Sequence, residues 1–369
     1  MALSLSQSDA QIRKRVVRLV LKGRTGDRVT DDGTPRFSAN DTIVENGIAL
    51  QRRTVILLTK GCSIPTCTMC PFTNYNHFGS DTAPSSPEEQ LKRDFDRSPP
   101  IEIDVVSIYN DGSFFANSEI TDSQRLRIAE IIRQHRIPHI VVESLPQFIK
   151  SDAVSRFSET ANANLTIGIG LQSADEFIRK VCVGTSFSKL QFEKAVSISK
   201  QLGVRVKPYV MIKPPFLSDS EALIDVKRAA RYLVSIGLDN VTLCPTRIAP
   251  NTLVEKLHGS GAYDVPHPFT VLAALRASLE LVDARIALVN LTAEDFSSVT
   301  SVSKRTDEAH IVLAALKSFS ISGDRTHLVL PHRYETAYAE HCAELDGQSE
   351  ADVRARTLKL LDDLESSQR

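Results

Sequence analysis

The sequence of 369 residues has no tryptophan, no long apolar run and no excess of charge of either sign. Without about 18 consecutive apolar residues we expect no membrane span, and residues 1–6 lack the charged and apolar regions of a signal peptide. The net charge of −1 gives no global basic field for nucleic acid. The basic residues from Arg13 to Arg24 are either a local patch for nucleic acid or a solvated helix face, and the solvated face is favoured.

Cysteine is scarce, but its distribution is informative. Three of the six cysteines are scattered, whereas Cys62, Cys67 and Cys70 follow a C-x4-C-x2-C spacing directly after the apolar residues 54–59. This distribution favours a cytoplasmic metal-binding protein over a disulfide framework. Because glycine and proline interrupt the segment, we expect an exposed loop at the end of a strand. Three ligands leave one coordination position open, as expected of a site that carries chemistry.

Several kinds of site fit three clustered thiols. A structural zinc site needs four ligands, there is no second C-x2-C pair, and only His77 lies near enough in sequence to be the fourth. A disulfide with one free thiol and a set of core cysteines are further alternatives. A [4Fe-4S] cluster held by three thiolates is favoured, because its fourth iron can chelate a small molecule and the cluster can pass one electron to it.

The remaining chain alternates between strands and helices. After a helix at 8–24 and a loop or short hairpin at 25–50, strands are predicted at 53–59, 103–109, 139–143, 165–171, 204–212 and 241–244. Six such units predict a parallel sheet, either a partial barrel or an open doubly wound sheet, with functional loops at the carboxyl ends of the strands. Residues 1–50 are predicted to be an N-terminal extension, 51–250 the barrel, and 251–369 a region of helices and one strand, at 285–291, that closes it.

The cysteine loop and four further segments carry a family resemblance. Together with residues 109–115, 142–149, 168–173 and 207–216, the loop resembles the archaeosine-forming lyases of the radical S-adenosylmethionine (SAM) superfamily. These belong to a grouping with oxygen-independent coproporphyrinogen oxidases, tRNA methylthiotransferases and Elongator-like enzymes. The resemblance covers about residues 50–270. The usual spacing in the superfamily is C-x3-C-x2-C, so this chain has one additional residue before Cys67.

The resemblance implies a fold, two cofactors and a set of site residues. The fold is a partial (β/α)6 TIM-like barrel with an N-terminal helical extension and a C-terminal α/β appendage. The cofactors are a [4Fe-4S] cluster, held by the three cysteines, and SAM. The residues implied in SAM binding are Asn110, Asp111, Gly112 and Ser113 for the methionyl amine, Glu143 for a ribose hydroxyl, Gln172 and Ser173 for ribose or carboxylate, and Lys207 for the carboxylate.

Each of these residues also has an ordinary structural interpretation. Residues 110–113 are typical of an Asn-Asp-Gly turn. Glu143 can form a surface ion pair, and Lys207, which lies inside a buried strand, can pair with Glu143 because a buried lysine needs a partner. Cys244 ends the sixth predicted strand and is a candidate hydrogen-atom donor. Residues 263–268, with His267, form either a proline-bounded linker or a closure of the barrel mouth.

The expected activity is reductive cleavage of SAM to a 5′-deoxyadenosyl radical, which abstracts hydrogen from a substrate. The branch implies cleavage of a C–N bond in a modified 7-deazaguanine nucleoside, with an electron donor such as flavodoxin or ferredoxin. The near-neutral charge argues against a large tRNA footprint by this chain alone. Either a partner subunit carries the RNA or the substrate is a small metabolite. The alternative of another class is a non-catalytic iron–sulfur or zinc protein.

Overall fold

The computed structural model describes residues 5–24, 31–45, 48–72, 85–281, 286–288, 307–347 and 352–366. The helices are α1 (Gln7–Lys22), α2 (Pro87–Arg97), α3 (Asp122–Gln134), α4 (Ser151–Ala161), α5 (Lys189–Gln201), α6 (Asp219–Ser235), α7 (Leu253–Gly259), α8 (Pro268–Leu281), α9 (Asp307–Ser322), α10 (His332–Gly347) and α11 (Val353–Ser366). The strands are β1 (Phe37–Glu45), β2 (Ile48–Ile56), β3 (Val105–Tyr109), β4 (His139–Glu143), β5 (Asn164–Gln172), β6 (Arg205–Ile212), β7 (Val241–Pro245) and β8 (Ile286–Leu288). A π-helix spans Ile178–Cys182.

The strands form one sheet in sequence order. β1 pairs antiparallel with β2, and every later strand pairs parallel with the one before it. Helices cross between most of these parallel neighbours, which is the arrangement of a partial (β/α) barrel. The predicted fold class is therefore confirmed. The cysteine loop follows β2 and lies, as expected, at the carboxyl edge of the sheet.

Two parts of the sheet differ from the sequence prediction. The region 25–50, expected to be a loop or short hairpin, supplies β1, and its nine-residue pairing with β2 makes the first strand begin at Ile48 rather than at residue 53. The strand expected in the C-terminal region is β8, which pairs parallel with β7. The barrel sheet thus has seven parallel strands rather than six.

The main core lies between the sheet and the helices that follow its strands. Val55, Val106, Ile108, Val142 and Ile167 are fully buried there. Strands covered on both faces carry apolar residues almost continuously, which is why β3 is buried along nearly its whole length. The opposite face of the sheet carries the polar side chains described below.

A second apolar core brings the two ends of the chain together. It contains one face of α1, the π-helix, α7, Phe216 and Leu361 of α11, and Met69 of the cysteine loop packs against it. Ion pairs join Arg15 of α1 to Glu365 of α11, and Arg354 of α11 to Asp9 of α1. The division at residues 50 and 250 stays a prediction, since the two flanking regions contact each other around the barrel.

Within the described part of the chain, no helix combines the length and the apolar character needed to cross a membrane.

Candidate metal and cofactor site

The cysteine loop begins where the chain leaves β2. Cys62, Cys67 and Cys70 are free thiols, each partly buried. Between the first two, the N–H of Thr66 donates to the carbonyl of Ile64 at 2.9 Å and closes a tight turn. The N–H of Ile64 in turn donates to the sulfur of Cys62. This turn lies within the longer C-x4-C spacing between Cys62 and Cys67.

The segment after the π-helix supports the second half of the loop. The Thr68 hydroxyl donates to the Cys182 carbonyl at 2.7 Å, and the Thr66 hydroxyl donates to the carbonyl of Gly184. Gly184 has a φ of +87°, and a Cβ there would lie 2.2 Å from the carbonyl oxygen of Thr66. Only glycine therefore allows this close contact. From the other side, Leu253 at the start of α7 donates its N–H to the Thr68 carbonyl at 3.0 Å.

Glu119 holds the first half of the loop, and the sequence analysis did not identify it. Its carboxylate accepts hydrogen bonds from the Ser63 N–H at 2.8 Å and the Ser63 hydroxyl at 2.7 Å. It also accepts from the Ser113 N–H and from the Asn110 amide. A Cβ on Gly112 would lie 1.9 Å from Glu119 Oε2 and 3.1 Å from the Cα of Cys62. The loop after β3 therefore packs directly on the cysteine loop, with a buried carboxylate between them.

The residues predicted to bind the methionyl amine already have protein partners. The Asn110 amide donates to Glu119, as described above. The hydroxyl of Ser113 accepts a hydrogen bond from the N–H of Leu145 at 3.1 Å. Asp111 forms an ion pair with Arg36, just before β1, and burial raises its pKa to about 6 although Arg36 opposes the shift. Its φ of +55° is that of the ordinary turn considered above. The role of residues 110–113 in SAM binding stays a prediction.

Glu143, Lys207 and Cys244 are brought together inside the barrel. Burial raises the pKa of Glu143, against a hydrogen bond from Tyr209 and the charge of Lys207. Burial lowers the pKa of Lys207, against the charge of Glu143. Burial also raises the pKa of Cys244 to about 12, with Lys207 opposing. Among the described residues the Lys207 ammonium makes no ion pair or hydrogen bond, and its nitrogen lies 5.8 Å from the Tyr209 ring centroid.

Space beside this group is provided by Gly168 of β5. A Cβ at this position would lie 2.8 Å from the Tyr209 hydroxyl and 3.0 Å from Cγ of Glu143. The glycine therefore lets the polar side chains of β4 and β6 approach across β5. The mutual effect of Glu143 and Lys207 on each other's pKa favours the ordinary interpretation, in which the two charges face each other. The Lys207 ammonium can still donate to a further acceptor.

Gln172 and Ser173, the two residues predicted to bind SAM at the end of β5, lie in different environments. At Gln172 the pairing with β6 shifts register and φ is +65°, so the strand bulges. The hydroxyl of Ser173 donates to Asp225 of α6 at 2.7 Å and is fully buried in the helix layer. The structure does not bring Ser173 to the cysteine loop, and its cofactor role stays a prediction, as does that of Gln172.

Residues 263–268 lie against the loop after β6. The Tyr263 hydroxyl donates to the Lys213 carbonyl at 2.6 Å, and the His267 N–H donates to Asp219 at 2.8 Å. The ring of His267 stacks on His341 of α10, with 4.5 Å between centroids. Closure of the barrel mouth by this segment stays a prediction. His77, considered as a fourth zinc ligand, lies outside the described residues.

The three thiols are a donor set that fits an iron–sulfur cluster. In the described residues, no three His, Cys, Asp or Glu side chains are arranged to hold one metal ion. Thiolates of a four-iron cluster bind different irons and need not converge on one point. The guanidinium of Arg24 acts electrostatically on all three thiols, and its Nε and Nη2 are buried and have no hydrogen-bond partner among the residues that the structure describes. An anionic group bound at the cysteines would satisfy this cation.

Comparisons with known proteins agree with the sequence resemblance. No family model matches the chain. It is 27% identical over 286 residues to archaeosine synthase subunit beta of Methanosarcina acetivorans, covering 74% of this chain and 78% of that protein. The protein of the same name from Thermococcus kodakarensis is 27% identical over 233 residues, 61% of this chain and 69% of that one.

Two further matches complete the comparison. An uncharacterised protein of Methanocaldococcus jannaschii is 23% identical over 230 residues, and the match spans 60% of this chain and 63% of that protein. Among solved structures, Elp3 of Methanocaldococcus infernus matches with a TM-score of 0.48 and 14% identity, covering 64% of this chain and 60% of that one. The predicted resemblance to the archaeosine-forming branch is confirmed by the two named relatives.

Proposed function

We propose that the chain is a radical SAM enzyme in which Cys62, Cys67 and Cys70 hold a [4Fe-4S] cluster with one iron left for SAM. A cluster bound there supplies the electron that cleaves SAM reductively and yields the 5′-deoxyadenosyl radical. The observation that carries this proposal is the cysteine loop itself. Three thiols lie on one loop that Glu119 and residues 182–184 fix from both sides. The Nε and Nη2 of Arg24, whose charge acts on these thiols, have no hydrogen-bond partner within the described part of the chain.

The residues inside the barrel suit the other parts of SAM and the substrate. Glu143 can accept hydrogen bonds from ribose hydroxyls, and the ammonium of Lys207 can donate to a carboxylate. Both project from strands, which hold their side chains in fixed positions. The barrel wall then keeps the substrate close to the reacting carbon and excludes water from the radical.

A modified nucleoside is the substrate class we favour. The relatives named archaeosine synthase subunit beta support it, and the word subunit supports a partner protein. Since the chain has a net charge of −1, we infer that any tRNA is held mainly by that partner. A small metabolite is the second candidate, and flavodoxin or ferredoxin is the proposed electron donor. SAM cleavage can be measured with a free nucleoside, and with tRNA in the presence and absence of the partner. Stimulation by the free nucleoside indicates a small substrate, whereas stimulation by tRNA only when the partner is present indicates a tRNA substrate.

Anaerobic reconstitution tests the proposal. We expect about four iron and four sulfide per chain and formation of 5′-deoxyadenosine from SAM with dithionite. Cys67→Ala should lose both properties, whereas Cys342→Ala, a thiol on α10 outside the loop, should keep both. Full cleavage by Cys67→Ala would refute the ligand assignment. A cluster-loaded wild type that never cleaves SAM, with or without candidate substrates, would favour the non-catalytic alternative.

A further inference from the structure

Arg24 is a partly buried cation, and two of its three guanidinium nitrogens are buried. It follows Gly23, the C-terminal cap of α1, and its Nε and Nη2 have no hydrogen-bond partner among the described residues. Arg13 on the same helix differs, because its Nε and Nη2 donate to the carbonyls of Lys180 and Thr185 at 3.2 and 3.3 Å. Arg24 therefore carries a positive charge and N–H groups on two nitrogens that no other described residue accepts.

Such a group needs an anion. A guanidinium stays charged in proteins, and removing part of it from water without a partner is unfavourable. The groups on which its charge acts are Cys70, Cys62 and Cys67, in decreasing order. Cysteines that hold iron do so as thiolates, so binding of a cluster brings negative charge to this position.

The position of Arg24 is fixed by the same elements that fix the cysteine loop. Ile12, Val16 and Leu19 anchor α1 in the second core, against which Met69 of the loop also packs. The hydrogen bonds of Arg13 tie α1 to the segment from Lys180 to Thr185, which contains the carbonyls that hold the loop. The end of α1 and the cysteine loop thus share one support.

We propose that Arg24 donates its Nε–H and Nη2–H to sulfur of the cluster held by Cys62, Cys67 and Cys70 and thereby raises the cluster's reduction potential. This inference rests on the proposed function. Reduction adds one negative charge to the cluster, and a cation nearby stabilises the more negative form. Hydrogen bonds to the sulfurs act in the same direction and are a known determinant of cluster potentials. The N-terminal extension would then tune the electron transfer that starts the reaction.

The test is a redox titration of the reconstituted cluster without SAM, followed by electron paramagnetic resonance. Arg24→Gln should lower the ratio of reduced to oxidised cluster at a fixed potential by about tenfold, which is ~59 mV for one electron. Arg24→Lys keeps the charge and should recover most of the loss. Arg18→Gln removes the same charge from the exposed side of α1, where it acts on Glu365, and should match the wild type.

Each outcome decides the inference. An unchanged potential in Arg24→Gln, with a cluster present in the wild type, refutes it and leaves the proposed function intact. If SAM affinity alone falls, Arg24 binds the SAM carboxylate and the inference is equally refuted. If Arg24→Gln holds no cluster, the iron content of the other variants is the deciding measurement. Iron retained in Arg24→Lys supports an effect of the charge. Iron lost from both Arg24 variants but retained in Arg18→Gln refutes the inference. A wild type without a cluster refutes the proposed function itself.

Discussion

At the scale of single residues, Glu119 is the side chain on which the candidate site most depends. Within the described residues, the hydrogen bonds of its carboxylate are all accepted, from Ser63, Asn110 and Ser113, and the residue is only 6% exposed. A glutamine would turn an N–H donor towards these donors. A buried polar group without a partner costs ~1–3 kcal/mol. This role could not be predicted from the sequence, because Glu119 lies in an aperiodic segment and belongs to no motif.

We therefore expect Glu119→Gln to unfold at lower temperature than the wild type and to hold less iron after reconstitution. Thermal melting and iron analysis measure the two effects. Glu130→Gln, on an exposed position of α3, removes the same charge and should change neither. Normal iron content in Glu119→Gln would show that the cysteine loop does not depend on this carboxylate.

Asp225 predicts a pH dependence of stability. Burial raises its pKa to about 7, and the Ser173 hydroxyl only partly offsets this. The folded state then binds the proton more tightly than the unfolded chain. The stabilisation from this proton is complete below about pH 4 and is lost as the pH rises through about 7, a change of about 4 kcal/mol.

Asp225→Asn keeps an oxygen for Ser173 and removes the charge. Its melting temperature, compared with that of the wild type, should rise more at pH 8 than at pH 5. Asp152→Asn, at an exposed position of α4, should show no such difference. An equal effect of Asp225→Asn at both pH values would mean that this carboxyl does not titrate in the range.

At the scale of elements, the contact between residues 182–184 and the cysteine loop can be tested with two glycines. Gly184 and Gly203 both have positive φ, so alanine is strained at either position. Only at Gly184 would the new Cβ meet backbone, 2.2 Å from the Thr66 carbonyl oxygen, whereas nothing lies within 4 Å at Gly203. Gly184→Ala should therefore displace the loop that carries Cys67.

Iron content after reconstitution reports the displacement. We expect Gly184→Ala to lose most of the cluster and Gly203→Ala to keep it, with a loss of about 1 kcal/mol in stability from backbone strain. Equal retention by both variants would contradict the proposed support of the loop.

The elements themselves were largely predictable. Buried parallel strands read as apolar β-branched runs, and the capping box from Ser218 to Glu221 marked the start of α6. β1 was harder to assign because most of its side chains are exposed, and the place of β8 depends on pairing with β7 rather than on its three residues. The side-chain partners of the site, such as Asp225 for Ser173, come from distant positions and no local pattern reveals them.

At the scale of the whole molecule, the contact between the chain ends supports the cysteine loop. Leu361 of α11 is fully buried in the second core, next to α1, whereas Leu358 on the same helix is 38% exposed. The sequence predicted the helix but not its partners, because a largely polar helix does not show which surface it covers. Removing a buried leucine side chain costs ~2–5 kcal/mol.

Leu361→Ala should lower the melting temperature and make α1 more sensitive to proteolysis, and Leu358→Ala should lie within about 0.5 kcal/mol of the wild type. Denaturant melts and limited proteolysis, with mapping of the cleavage sites, measure both. Wild-type protection of α1 in Leu361→Ala would show that α11 does not stabilise the N-terminal extension.

The central claim is that three cysteines hold a cluster with one iron open to SAM. The most direct measurement is the electron paramagnetic resonance spectrum of the reduced, reconstituted protein before and after SAM is added. We predict a four-iron signal whose shape changes when SAM binds, in the wild type and in Cys342→Ala, and no such signal in Cys67→Ala. A reduced four-iron cluster whose spectrum does not respond to saturating SAM would contradict the claim.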